Sequence, residues 1–351
     1  MHSINELTSK TFIIAELGKN FIQTEEHKSV EEYLSNAKQL VKLAKESGAD
    51  AVKFQTHHVV DEQLNIDVTS PHFTGSDRFK WVSRNTNSTP LETFWKPLKE
   101  YCDSLGIFFF TTPMSRGAAQ KVNSLVNLWK VGSGDILDFV TLDYMASTKK
   151  PIILSSGMST PEEVDKAVNF LKSKNADFAL LHCVSKYPCP PEELNLGTLK
   201  HFQQKYNVPI GFSDHSIGHE AALSAVAMGA KIIEKHFSLN RDLWGADHKV
   251  SMTPREFKSM VEGIRSFEKS IGVENKNLQE GESVFRQYFR KSLMAAQDLP
   301  AGTVITAEHL YAMRPQAFAR GINSEHYETV IGKKLTKDLK KFEPITQKII
   351  E

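Results

Sequence analysis

The sequence is poor in cysteine. Its three residues of 351, Cys102, Cys183 and Cys189, show no CxxC spacing. That argues against a disulfide framework or a structural zinc site, and fits a reduced compartment. Long apolar runs are missing as well: nothing approaches the roughly 18 apolar residues of a membrane helix, and the opening MHSINELTSK carries no signal-peptide core. A cytoplasmic location is the expectation. Charge of one sign is absent too, with 43 lysines and arginines against 42 aspartates and glutamates. No global field draws the chain toward nucleic acid or a membrane, so an anionic ligand must be met by local charge.

What is present is a run of short apolar segments rich in β-branched and aromatic residues, at 12–16, 51–56, 107–112, 128–132, 152–155, 178–182, 210–213 and 231–236. Amphipathic stretches of helical length lie between them, among them 29–47, 90–104, 161–172 and 219–228, and another follows at 254–271. Pro161 after Ser159 and Thr160 reads as a cap with proline in the first turn. Strands alternating with helices imply parallel βαβ units. Eight of them is the count that closes a (β/α)8 TIM barrel of about 250 residues. An open doubly wound sheet is the rival, but no glycine-rich dinucleotide fingerprint follows the first strand.

Polar residues gather at the same end of each run: Glu16, Lys53 with Gln55, Thr111 with Thr112, Ser133 with Asp135, Ser155 with Ser156, His182, Ser213 to His215, and Glu234 with His236. In such barrels catalytic groups sit at strand C-terminal ends. The pattern therefore predicts a polar pocket at the barrel mouth.

His215 and His236 end consecutive strands, so their imidazoles would stand on adjacent staves and could converge on one ion; two hydrogen-bonded pocket histidines are the other reading. Glu16, Asp135, Asp214, Glu234 and Asp247 would complete a nitrogen and oxygen shell suited to manganese, magnesium or zinc, with solvated loop carboxylates the alternative for Asp214 and Asp247. Lys53 and Lys130 lie inside strand runs, where an ammonium is costly without an anion. With Thr112, Ser133, Ser155 and Ser213 they would bind a phosphate and a carboxylate, or each would sit in a structural ion pair. Gly132 and Gly134 around Ser133 suggest a tight turn whose amides face an anion.

Residues 57–89 are long, polar and poorly periodic, and read as a partial lid. The stretch 273–283, VENKNLQEGES, reads as a linker. It separates a barrel domain at 1–272 from a small domain at 284–351 marked by turn signals such as Pro300, Gly302, Pro315 and Gly332.

These motifs together resemble the sialic acid synthases and their relatives that make other nonulosonic acids. The matching stretches are IIAELGKN from Ile13, VKFQT from Val52, KVGSGD from Lys130, ILSSGM from Ile153, HCVSKYP from His182, GFSDHSIG from Gly211, IEKHF from Ile233 and GADH from Gly245. The stretch KSLMAAQDLPAGTVITAEHLYAMRP from Lys291 looks like the family's antifreeze-like (SAF) domain. The resemblance implies a domain-swapped homodimer in which that domain caps the partner's barrel and Arg314 reaches the sugar's N-acetyl group. It implies that His215 and His236 hold a divalent metal, Mn2+ or Mg2+, acting as a Lewis acid on the sugar aldehyde. Phosphoenolpyruvate would be held by Lys53, Thr112, Lys130, Ser133, Ser155 and Ser213, with Ser185 near its carboxylate. Gln55, Tyr187 and Asp247 would complete the substrate-binding set, and Glu16, Asp135 and Glu234 would manage water and protons.

Three positions depart from the best-known bacterial members. Asp135 stands where glutamate is common, Ser185 where some have asparagine, and Phe21 where a histidine often follows Asn20. The shorter carboxylate at Asp135, and GADH followed by Lys249, lean toward relatives acting on diacetamido trideoxy sugars. Two alternatives are a synthase acting on a phosphorylated aldose and a non-catalytic sugar-phosphate-binding relative.

Overall fold

The computed structural model describes residues 3–69 and 77–351. The chain divides into two compact units, Met1–Ile271 and Gly272–Glu351.

The first unit begins with a short helix α1 (Ile4–Leu7) and continues as β1 (Phe12–Gly18), α2 (Val30–Glu46), β2 (Ala51–Thr56), α3 (Val59–Glu62), α4 (Arg78–Ser88), α5 (Lys96–Ser104), β3 (Phe108–Pro113) and α6 (Arg116–Val122). Then follow β4 (Trp129–Val131), α7 (Phe139–Ser147), β5 (Ile152–Ser155), α8 (Pro161–Ser173), β6 (Phe178–Cys183), α9 (Gly197–Lys205), β7 (Ile210–Asp214), α10 (Glu220–Ala227), β8 (Ile232–His236) and α11 (Pro254–Ser270). Each strand pairs in parallel with the next and β8 returns to β1, closing the barrel. The TIM architecture expected from the alternation is the one observed.

The strand period of two divides each strand between two cores. Outward residues such as Ile13, Ala15, Phe54, Trp129, Leu154, Phe212 and Ile233 pack against the helices. Inward residues, among them Phe12, Ile14, Ala51, Phe110, Leu128, Ile153, Ala179, Leu181 and Ile232, fill the lower barrel. Higher up the inward positions turn polar, as in the series Phe12, Ile14, Glu16 on β1 and Ile232, Glu234, His236 on β8. Helix α1 closes the floor. Ser3 and Glu6 form its capping box, and Ile4 is fully buried among the inward side chains.

Helix faces follow the same logic. On α2, capped by Ser29, the buried residues Tyr33, Ala37, Leu40, Val41 and Ala44 fall at helical spacing. On α8, Thr160 and Glu163 form a capping box with Pro161 in the first turn, as the sequence predicted.

The stretch 57–89 is not the loop its polarity suggested. Residues 70–76 lie outside the described residues, but α3 and α4 occupy much of the rest. On α4 the buried residues include Arg84, Asn85 and Ser88 beside Trp81 and Val82. The Arg84 guanidinium donates to the carbonyls of Thr24, Glu25 and Glu26 at 2.8–3.0 Å. Hydrogen bonds do there what apolar contacts do elsewhere, so the usual periodicity is missing.

The second unit holds α12 (Glu280–Phe289) and an antiparallel pair, β9 (Ser292–Ala295) with β10 (Leu310–Met313). Leu293, Ala295, Leu299, Ile305, Val330, Leu335 and Ile345 belong to its own core. The segment read as a linker is helical from Glu280 onward. Helix α12 is capped by the Gln279 and Glu282 box and buries none of its residues; Val284, Phe285, Tyr288 and Phe289 form an apolar stripe at helical spacing that stands exposed. Among the described residues no helix is long and apolar enough to cross a membrane.

Candidate active site

A cavity of about 260 Å³ opens at the C-terminal ends of the strands. Of the predicted residues, Glu16, Lys53, Gln55, Lys130, Ser133, Ser155, Ser185, Tyr187, Ser213, His215, Glu234, His236 and Asp247 line it. They come from seven of the eight strands or the turns just after them, because the inward positions at that height are the polar ones.

Lys53 and Lys130 are almost fully buried, and the site supplies their counter-ions. The Lys53 ammonium lies 2.6 Å from Glu16 and 3.7 Å from Glu234, and Lys130 lies 3.9 Å from Glu234. The structural ion pair anticipated for each lysine is therefore present. Lys53 also donates to the Thr112 hydroxyl at 3.0 Å, and Lys130 to Ser155 Oγ at 2.6 Å. Glu234 accepts from Ser213 at 3.1 Å, and Glu16 from the Gln55 amide at 3.0 Å. Thr112 is thus tied to the site through Lys53 and is not among the residues lining the cavity.

The environment pushes the two glutamates apart. Burial, reinforced by Glu234, outweighs Lys53 and holds the Glu16 carboxyl above its usual range. Burial also acts on Glu234, but Lys130, Lys53 and His236 outweigh it and hold that carboxyl low. Paired carboxyls separated in this way divide into a proton donor and a base. Lys53, between the two glutamates, is raised despite burial.

His215 and His236 face each other with ring centroids 5.3 Å apart. The His215 Nδ1–H donates to the Val184 carbonyl at 2.9 Å, which leaves Nε2 as the free acceptor. Burial drives His236 down to about 3, so its ring is neutral and its nitrogens can ligate. Its Nδ1 is buried without a hydrogen-bond partner. Burial also acts on His215, but Cys183 and the Val184 carbonyl outweigh it and hold that imidazole above its usual range, so a metal there would compete with a proton. Two facing imidazoles on one cavity fit a divalent metal. Among the described residues no group of three or more His, Cys, Asp and Glu side chains is arranged to hold one. The two histidines are the pair placed to hold it, and of the five carboxylates expected around them Glu16, Glu234 and Asp247 line the same cavity.

The other two, Asp214 and Asp135, are not among the lining residues. Asp214 points outward and pairs with Lys235 in full burial. Asp135 follows the 3-10 turn start at Ser133 but is not among the lining residues. Burial, with Asp138 and Glu62, pushes its carboxyl up to about 7. Gly132 and Gly134 do not appear among the positive-φ glycines, so the turn does not demand them. Phe21 packs against Tyr33, Phe54 and Phe94; its departure from histidine takes no group from the cavity. Lys249 is exposed. Arg314, in the second unit, donates from Nε to the Phe289 carbonyl at 2.6 Å.

Four lining residues escaped the sequence reading: Lys19, Met158, Cys183 and Ala246. Lys19 sits just past β1 within the quoted IIAELGKN, and Cys183 ends β6 beside the flagged His182, so strand-end position was a usable signal for both. The Cys183 thiol lies 3.8 Å from His215 Nδ1. Against burial, His215, Ser133 and Lys130 pull it down to about 7. Three lining lysines, Lys19, Lys53 and Lys130, then stand against three carboxylates, Glu16, Glu234 and Asp247.

Comparison with known proteins identifies both parts of the chain. The NeuB family model matches residues 40–276 and the SAF domain model residues 290–351. The chain is 34% identical to the N,N'-diacetyllegionaminic acid synthase of Campylobacter jejuni, over 96% of this chain and 99% of that protein. It is 30% identical to the human N-acetylneuraminate-9-phosphate synthase, over 97% of this chain and 92% of that one. A crystal structure of the N-acetylneuraminic acid synthetase of Leptospira borgpetersenii, in complex with citrate, superposes with a TM-score of 0.67 at 30% identity, covering 79% of this chain and 90% of that one.

Proposed function

This chain belongs to the NeuB family, and from that premise we propose that it is a nonulosonic acid synthase condensing phosphoenolpyruvate with an N-acetylated amino-sugar aldehyde. The carrying observation is that the buried lysines Lys53 and Lys130 line one cavity together with the hydroxyls of Ser133, Ser155 and Ser213 and the two histidines His215 and His236. That set suits a small ligand bearing a phosphate and a carboxylate.

The lining lysines already face carboxylates, Lys53 with Glu16 and Glu234 and Lys130 with Glu234, so a multiply charged anion calls for further positive charge. A divalent cation, manganese or magnesium, held by His215 and His236 would provide it, and would polarise the aldehyde oxygen when bound. The lysines hold the phosphate and carboxylate while C3 of phosphoenolpyruvate adds to the aldehyde carbon. Water adds at C2, and phosphate leaves by C–O cleavage. Glu234, ionised between two lysines, takes the proton of that water; Glu16, with its raised carboxyl, returns one to the new hydroxyl. Asp247, Gln55 and Tyr187 position the sugar. The acceptor is N-acetylmannosamine or a diacetamido trideoxy hexose, and the reading extends to a cytoplasmic homodimer with Arg314 contacting the N-acetyl group.

The test is phosphate release from phosphoenolpyruvate with manganese and each sugar in turn. Bridge-labelled [18O]phosphoenolpyruvate should deliver its label to phosphate. No release with any of these sugars, or label retained in the sugar acid, would sink the proposal. A phosphorylated aldose gives the competing outcome.

A further inference from the structure

The fully buried pair Asp214 and Lys235 lies one residue from His215 and one from His236, on the opposite face of the same two strands. Strand alternation sends Ser213, His215, Glu234 and His236 inward, and sends Asp214 and Lys235 out beneath the helices. Asp214 and Lys235 are also the last registered partners of β7 and β8. His215 follows that last rung, so the sheet ladder no longer fixes it.

Lys235 takes over where the ladder stops. Its ammonium donates to Asp214 Oδ2 at 2.6 Å and, past it, to the Ser216 carbonyl at 2.6 Å. Asp214 Oδ1 accepts from the Ser216 amide at 2.8 Å and from its hydroxyl at 2.7 Å. The segment carrying His215 is thereby bent round a carboxylate and gripped by the neighbour of His236. On its other side, the His215 carbonyl accepts from the Cys189 amide at 3.0 Å.

We propose that Asp214 and Lys235 form a buckle that sets the spacing and aim of His215 and His236 for metal binding. They act as positioning residues behind the cavity. Burying an ion pair is a poor way to gain stability, since apolar replacements often serve as well, whereas groups behind metal ligands commonly govern affinity by 10–100-fold. The inference rests on His215 and His236 being the metal pair.

The deciding measurement is Mn2+ titration calorimetry on the full-length protein, alongside its melting temperature. The double variant Asp214→Asn/Lys235→Met leaves no lone buried charge and keeps an acceptor for the Ser216 amide, but loses the grip on the Ser216 carbonyl. We expect about 10–100-fold weaker Mn2+ binding in a protein that melts near the wild type. Affinity within twofold of wild type overturns the buckle. Ser216→Ala, which deletes only the hydroxyl contacts, serves if the double variant does not fold. It should weaken Mn2+ binding by a few fold, and wild-type affinity again overturns the proposal. His236→Ala separates the premises: unchanged Mn2+ binding there refutes the metal pair itself, whereas lost binding there with a normal double variant refutes only the buckle.

Discussion

At the scale of single residues, the cavity works by giving chemically similar groups different surroundings. His236 is neutral through burial, while His215 has its Nδ1 occupied by Val184. His236→Ala should therefore lose metal-dependent turnover by at least about a thousandfold while its circular dichroism stays native; activity that survives chelation of the metal would contradict the assignment. Asp135 yields a stability prediction. Burial pushes its carboxyl up to about 7, so the folded protein holds a proton that the unfolded chain releases near pH 4. The stability this contributes is complete below that pH and is lost as pH rises through about 7. Relative to wild type, Asp135→Asn should gain on the order of 2–4 kcal/mol between pH 4 and pH 8. Urea unfolding at the two pH values measures it, and equal differences at both would refute the shift.

At the scale of elements, the barrel tolerates little at β7. A Cβ at Gly211 would meet Leu181 Cδ2 at 2.5 Å and the Ile232 backbone oxygen at 2.6 Å, that is, one neighbour strand on each side. Gly211→Ala should cost about 2 kcal/mol or more as an overpacked core site, read as a drop in the barrel's unfolding midpoint. The strands were legible because their inward positions run from apolar to polar along the chain while their outward ones stay apolar. Asp214 was misplaced although the same alternation assigns it: Ser213 and His215 inward leave it outward. Helix α4 was not legible, because Arg84 secures it through three carbonyls and no apolar stripe exists to be read. The link from Thr112 to the cavity through Lys53 is likewise a matter of side-chain geometry that spacing does not encode.

At the scale of the whole molecule, each unit has its own apolar core, which is why the composition break near residue 273 could be read. Under the dimeric reading, Arg314→Ala should raise the sugar KM roughly tenfold or more and leave that of phosphoenolpyruvate little changed. Steady-state kinetics with each substrate varied decide it, and parallel rises in both constants would count against a sugar-specific contact. The plug at the barrel floor reaches further than its four residues suggest. Ile4 and the inward ring of Phe12, Ile14, Phe110 and Ile153 exclude water from below the lysine and glutamate cluster, so they keep the dielectric constant low where those charges interact. Removing residues 1–8 should act as an electrostatic mutation made at the far end of the barrel. Water admitted from beneath would relax the separation of the two glutamates, and the pH optimum of turnover should broaden even in protein that remains folded.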